Sequence, residues 1–391
     1  MIISGLSGNE IYCLHQKGYA PGRIVVGNSV YSLGTIRSLT SGLKTFTGGE
    51  IHSLTELISD GRHAAISRLE KEAGDLKASG VTGVSSDLKR VRGLHEFLAI
   101  GTSIHAHETP QFFTTACSGQ DLYCQIDSGY EPRHFCIGNV CYALGVGRGL
   151  MGMVRTFAGG EVKEYSDMYN HTRHLALERL EAEAAQRGAN AVVDITTLIL
   201  RFGPGVREML MVGTASFNPA LGQLGRPVTS ELTGEELWNL TSLGYQPIRL
   251  MLGSSVYALG VGGGISTFFK SFARGEVNAM TKLVYSAREN ALEHIQREAT
   301  QLQADGIIGV KIFIYEVGGG MVEVMAIGTA IKRSGAVKTH TEQLPPQAII
   351  RDRDTYFDQT HASAGNLGRE TTGAASNIAT SALEIAGRFG G

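Results

Sequence analysis

A Gly-Tyr pair occurs three times, at Gly18-Tyr19, Gly129-Tyr130 and Gly244-Tyr245, and each is followed by the same residues at nearly the same intervals. Pro21, Pro132 and Pro247 recur, then Gly27, Gly138 and Gly253, then Tyr31, Tyr142 and Tyr257, then Gly34, Gly145 and Gly260. Further on, Phe46, Phe157 and Phe272 precede a Gly-Glu pair ending at Glu50, Glu161 and Glu276. Arg62, Arg173 and Arg288 follow, then Glu72, Glu183 and Glu298, and each copy closes on Gly-Thr at Gly101, Gly213 and Gly328. A chain of 391 residues is too long for one typical core. The repeat sets the count at three modules, expected over residues 1–107, 112–218 and 227–332, and copies in tandem are expected to bury surface against their neighbours.

The pattern within a copy is α+β. Ser7-x-x-Glu10, Ser118-x-x-Asp121 and Thr233-x-x-Glu236 have the capping-box spacing of a helix start, and the Gly of Gly-Tyr ends that short helix. Extended apolar stretches follow, such as Arg23 to Gly27 and Arg249 to Gly253, which read as strands. From Ile51 the residues Leu54, Leu57, Ile58, Ala65, Ile66, Leu69, Ala73 and Leu76 keep three-and-four spacing, which predicts an amphipathic helix of roughly seven turns. Val81 to Leu88 and Leu94 to Ile104 read as a hairpin turning at Arg92-Gly93, and the turn becomes Gly203-Pro204-Gly205 and Gly318-Gly319-Gly320 in the later copies. The predicted module is α-β-α-α-β-β.

Composition excludes several classes. With 35 basic and 37 acidic residues there is no cationic excess to neutralise a nucleic acid. The sequence shows no leader pattern and no apolar run of membrane-spanning length, so a cytosolic protein is expected. Four of the five cysteines, Cys117, Cys124, Cys136 and Cys141, fall in the second copy, one (Cys13) in the first and none in the third, which excludes a disulfide framework shared by the modules. Residues 333–391 are expected to form a flexible linker and a tail rich in small residues. Within it, residues 366–390 place Leu367, Ala374, Ile378, Leu383, Ile385 and Phe389 on one loose helical face suited to docking on a protein partner or a membrane surface.

The order of strand, Gly-rich turn, Gly-Glu, long helix with an internal Arg, Ala189-Asn190-Ala191-Val192-Val193 and a Gly213-Thr214-Ala215 finish resembles the YbjQ-like, UPF0145 family, here as three tandem domains. The resemblance implies an α+β fold that assembles into a closed ring, with a heavy-metal-binding label attached to the family. Three fused copies do not divide into the pentamer usual for such rings. The closed alternatives are a pseudo-threefold monomer or a dimer making a six-module ring.

Arg62, Arg173 and Arg288 each fall on the apolar stripe of the long helix, where a guanidinium needs a carboxylate. Candidates are Glu50, Glu161 and Glu276 at the helix start, or Glu96, Glu208 and Glu323 in the last strand. The expected outcome is a structural ion pair within or between modules, with an axial anion site as the alternative. His171, His174 and Glu178 stand at i, i+3 and i+7, a spacing able to converge on a cation. Cys136 and Cys141 align with valines and a methionine in the other copies, which marks them as core thiols. The Gly145–Gly149 and Gly260–Gly264 turns read as packing turns, with phosphate binding as the alternative. No nucleophile elbow, Walker sequence or repeated carboxylate–histidine pair is present. The expectation is therefore a non-enzymatic, self-associating scaffold without a cofactor. The alternative is a small-ligand or heavy-metal-binding protein using clefts between modules.

Overall fold

The computed structural model describes residues 2–32, 49–91, 94–106, 111–143, 160–203, 205–258, 278–318 and 321–348. The first module comprises α1 (Gly8–Gln16), β1 (Tyr19–Ser32), β2 (Gly49–Glu50), α2 (His52–Asp75), β3 (Gly80–Val91) and β4 (Leu94–Ala106). The second adds a leading strand, β5 (Phe113–Thr114), to the same order: α3 (Gly119–Asp127), β6 (Glu131–Ala143), β7 (Gly160–Glu161), α4 (Lys163–Gln186), β8 (Ala191–Gly203) and β9 (Val206–Phe217). The third contains β10 (Val228–Thr229), α5 (Gly234–Ser242), β11 (Tyr245–Ala258), α6 (Asn278–Gln301), β12 (Gly306–Gly318) and β13 (Met321–Arg333). The Gly-rich turns, including Gly145–Gly149 and Gly260–Gly264, together with Glu276 and the tail segment 366–390, lie outside the described residues. No helix among the described residues is long and apolar enough to cross a membrane.

Local chemistry sets the element ends. The Ser7 hydroxyl accepts from the Glu10 amide while Glu10 reaches back to the Ser7 amide at 2.7 Å, and Thr233 with Glu236 does the same for α5. Each short helix stops where Gly18, Gly129 or Gly244 takes φ near +80°, a conformation only glycine adopts without strain. The long helices α2 and α4 have no side-chain cap. Instead, the Ile51 amide donates to the Cys141 carbonyl and the Val162 amide to the Val256 carbonyl, both at 2.7 Å, so a strand of the next module satisfies a helix-start donor.

In each module the long strand pairs antiparallel with the second hairpin strand, which pairs with the first, giving β1-β4-β3, β6-β9-β8 and β11-β13-β12. The 24-residue helix lies across that sheet because Gly27, Gly138 and Gly253 have no side chain. A Cβ there would stand 1.9, 2.1 or 2.3 Å from the carbonyl oxygen of Ala65, Ala176 or Ala291.

Consecutive modules then exchange edge strands in both directions. β2 of module 1 pairs with β6 of module 2, while β5 of module 2 runs parallel to β3 of module 1. β7 pairs with β11, and β10 with β8, in the same way one module on. The apolar cores follow the strands across. Ile51, at the start of α2, and Leu54 and Ile58 within it share one buried cluster with Phe135, Ile137, Cys141 and Leu210 of module 2. Tyr165 and Tyr169 of α4 share another with Leu250, Leu252, Val256 and Met325 of module 3. Among the described residues β1 and β12 remain outer strands, so the sheets of modules 1 and 3 are not joined to each other. This open row differs from the pseudo-threefold monomer considered as one closed form.

The short helices stand in a row, α1 against α3 and α3 against α5. Residues 334–348, inside the stretch expected to be a flexible linker, run back across this row. Leu344 and Ala348 pack with Cys13, Tyr123, Cys124 and Trp238, which come from all three modules. Asp127 of α3 anchors the strap: its carboxylate accepts from Lys17 Nζ (2.6 Å), Trp238 Nε1 (2.7 Å) and the Thr341 hydroxyl (2.8 Å). One acidic group thus ties three modules and the strap together. The linker expectation rests on composition, which does not register the contacts that Asp127 and Leu344 make across module boundaries.

Candidate functional site: the junctions between modules

Arg62 projects from α2 into the sheet of module 2. Its Nη2 and Nε meet both oxygens of Glu208, at 2.8 and 3.2 Å, and its Nη1 donates to the carbonyl and hydroxyl of Ser86, each at 3.1 Å. Asn139 donates to the same carboxylate at 3.1 Å. Both charged side chains are fully buried. This is the two-pronged geometry in which a desolvated Arg–carboxylate pair recovers most of what burial costs.

Arg173 makes the corresponding reach from α4 into module 3, with different partners. Its Nη2 meets one oxygen of Glu323 at 2.6 Å, and Ser254 donates to that same oxygen at 2.6 Å. The Tyr169 and Tyr142 rings lie 4.9 and 5.3 Å from the guanidinium carbon. Among the described residues Arg173 Nε and Nη1 meet no carboxylate or carbonyl acceptor, and the Tyr142 and Tyr169 rings take the place of the second prong. Burial alone would pull the Arg173 pKa down, but the Glu323 charge outweighs it and the guanidinium stays charged.

The remaining members of the predicted ion-pair set fall elsewhere. Glu50 binds Arg179 of module 2 at 2.7 Å. Glu161 accepts from Ser166, Ser255 and Asn290. Glu96 is half-buried and held by Asn28 at 3.1 Å. Arg288 is half-buried, and no carboxylate among the described residues pairs with it. The arginines are spread one per module along the row rather than gathered at a shared point, so the geometry gives no converging anion site.

A second charged cluster lies beside each pair. At the first junction His134 of β6 sits between Glu70 of α2 (3.2 Å) and Glu183 of α4 (3.5 Å), and Glu183 also meets His63 of α2 at 3.1 Å. Burial depresses the His134 pKa, but hydrogen bonds to Glu183 and Glu70 outweigh it and the net shift is upward. The bond to Glu183 raises His63 against an opposing burial effect. Burial would raise Glu183 itself, yet the two imidazoles hold it at about 2. At the second junction the position of His134 is taken by Arg249, 3.3 Å from Glu181 and 4.0 Å from Glu298, and His174 meets Glu298 at 3.2 Å. The sequence reading passed over His134 and Arg249. They occupy one repeat position, shared with Arg23, and that basic position was a usable signal.

The metal spacing does not come together. His171 is exposed. His174 is engaged through Nδ1 by the Asn170 carbonyl (2.8 Å) and through Nε2 by Glu298, and Glu178 is exposed opposite Arg226. Among the described residues no three His, Cys, Asp or Glu side chains are grouped to hold an ion. All five cysteines are buried and free. Burial raises every thiol pKa, Cys13 to about 11, so none is available as a thiolate. These residues do not fit a heavy-metal site.

A family model for YbjQ domains, described as "Putative heavy-metal-binding", matches residues 17–107, 130–217 and 244–334. The chain is 32% identical over 238 residues to a Mycobacterium tuberculosis protein named as an encapsulin nanocompartment protein, covering 57% of this chain and 88% of that one. A UPF0145 protein of Pseudothermotoga lettingae is 35% identical over 104 residues, 27% of this chain and 92% of its own length. Another from Pyrococcus abyssi is 40% identical over 85 residues, 22% of this chain and 75% of its own.

Proposed function

Because the chain belongs to the YbjQ family, with three of its domains in tandem, we propose that it is a non-enzymatic scaffold protein whose modules are units of a larger closed assembly. The observation that carries this reading is the reciprocal exchange of edge strands at both junctions, with buried Arg–Glu pairs beside them. The similarity to a protein named for an encapsulin nanocompartment supports the same class of role. Copies of the chain associate into a ring, a six-module dimer being the smallest closed form compatible with an open row of three. Light scattering on the full chain tests it. A mass of two or more chains is the expected result, and a single-chain mass at every concentration overturns it.

The tail beyond the strap recruits a protein partner or a membrane surface. Truncation after Ala348, which keeps the strap, should leave folding intact and abolish co-sedimentation with vesicles or capture of a partner. Unchanged association would assign that role elsewhere.

One cleft favours a second reading, ligand binding between modules. A hollow of about 420 Å³ between α4 and α6 is lined by Asp167, His174, His294, Arg297 and Glu298. Elemental analysis and calorimetry with small anions separate the two readings, since the scaffold needs no bound ligand to stay assembled.

A further inference from the structure

The two ends of the row are complementary, and we propose that the module 3 end of one chain docks on the module 1 end of a second copy, repeating the internal junction across the contact. This rests on the scaffold reading above and names the surfaces that reading leaves open. On β1, Ile24, Val26 and Val30 are 41%, 42% and 54% exposed. Their counterparts Phe135, Ile137 and Cys141 are 0–3% exposed, and Leu250, Leu252 and Val256 0–1%, because the long helix of the preceding module covers them. Among the described residues no preceding module lies against this face of β1, and no following one lies against α6. At the positions of buried Ile58 and Arg62, α6 presents half-buried Val284 and Arg288, with Tyr285 exposed beside them.

The polar halves match as well. Arg288 stands where Arg62 and Arg173 stand, and Glu96 stands where Glu208 and Glu323 stand. Asn28 already holds Glu96 as Asn139 holds Glu208, so the acceptor is oriented before any partner arrives. The strand exchange has its open half too. β5 and β10 run along β3 and β8, the Thr115 amide donating to Val81 and the Ser230 amide to Val192. The same place beside β12 is a groove of about 400 Å³ lined by Ile295, Ala299, Gly306, Ile307 and Val310. Ile2 and Ile3, which precede α1 as β5 precedes α3, are 60% and 63% exposed. The occupant of each end is therefore the other end of an identical chain.

One position opposes the contact. His63 and His174 face Glu183 and Glu298 inside the chain, whereas module 3 carries Glu289 there, which in a docked copy meets Glu72. The contact between copies is consequently weaker than the internal junctions, and reversible.

The test is light scattering on the full chain with Arg288→Glu, Glu96→Arg and the double variant. Each single variant should weaken association by at least about thirtyfold, and the double variant should restore it, because each contact then regains an opposite-charge pair. Both residues are half-exposed in a single chain, so circular dichroism and the unfolding midpoint should be unchanged. Glu289→His should tighten association by up to about fivefold. If the wild-type chain self-associates and the single variants leave its mass unchanged, the proposed surfaces are wrong while the scaffold reading stands. A wild-type chain that stays single at every concentration overturns both.

Discussion

The first and second junctions are built on one plan and completed by different chemistry. At the first, Arg62 is satisfied by hydrogen bonds on three sides and the neighbouring cluster holds two histidines. At the second, Arg173 has a single-point carboxylate contact between two tyrosine rings, and the corresponding cluster holds an arginine and one histidine. What the repeat preserves is the charge inserted into the next module. How that charge is stabilised is free to change, because ring faces and hydrogen-bond acceptors both compensate a desolvated guanidinium.

The largest effect should come from removing the acid. Glu208→Ala leaves Arg62 buried without its counter-ion and should cost about 3–5 kcal/mol in urea unfolding. Glu323→Ala should cost roughly 1–2 kcal/mol less, since the tyrosine faces remain in place. Equal losses would mean that the tyrosine faces add nothing to the second junction. Next, Asp127→Ala removes an acceptor that serves both junctions and should cost about 1.5–3 kcal/mol, read together with faster hydrogen exchange over residues 334–348. Unchanged exchange there would mean the apolar contacts of Leu344 and Ala348 hold the strap alone.

A smaller effect separates the junctions by pH. The raised pKa values of His63 and His134 mean that their contribution is complete below the ordinary imidazole value of 6.5 and is lost as pH rises through the folded values. Glu183, held at about 2, contributes fully above its ordinary 4.5 and loses that only as pH falls towards 2. The first junction is thus firmest between about pH 4.5 and 6.5. The second junction depends on one histidine, His174, beside the Arg249 guanidinium. Hydrogen exchange at pH 6 and pH 9 should show the first junction loosening more, and His134→Arg should flatten the difference. The smallest effect belongs to the exposed Lys71–Asp75 pair on α2, where Lys71→Ala should change stability by less than about 0.5 kcal/mol and serves as a baseline for the others.

Much of the module was legible in the sequence, and what escaped has a physical pattern. The capped short helices, the long helix and the hairpin are set by local spacing within one copy, and Ser7-x-x-Glu10 or the apolar stripe of α2 specifies them without reference to the rest of the chain. The buried arginines were visible as charges on an apolar stripe. Their partners were not resolved among six carboxylates, because the choice between Glu96 and Glu208 depends on how modules dock, a property absent from any one copy. The exchanged strands β2, β5, β7 and β10 are two residues long, too short to carry an alternation pattern. The Asp127 anchor was invisible because Gln16 and Ser242 occupy its position in the other copies.

The exchanged strands also fix an order of events during synthesis. The sheet of module 1 is complete only when Phe113–Thr114 has left the ribosome, by which time the second module is already emerging, and Gly49–Glu50 has no partner until residues 142–143 follow. At translation rates of about 5–20 residues per second, Gly49–Glu50 waits roughly 5–20 seconds for its partner strand to be made. Nascent folding of modules 1 and 2 is therefore a relay in which neither is finished before its successor has begun, and a chain halted at residue 107 would hold a first module still lacking the β5 segment that covers β3.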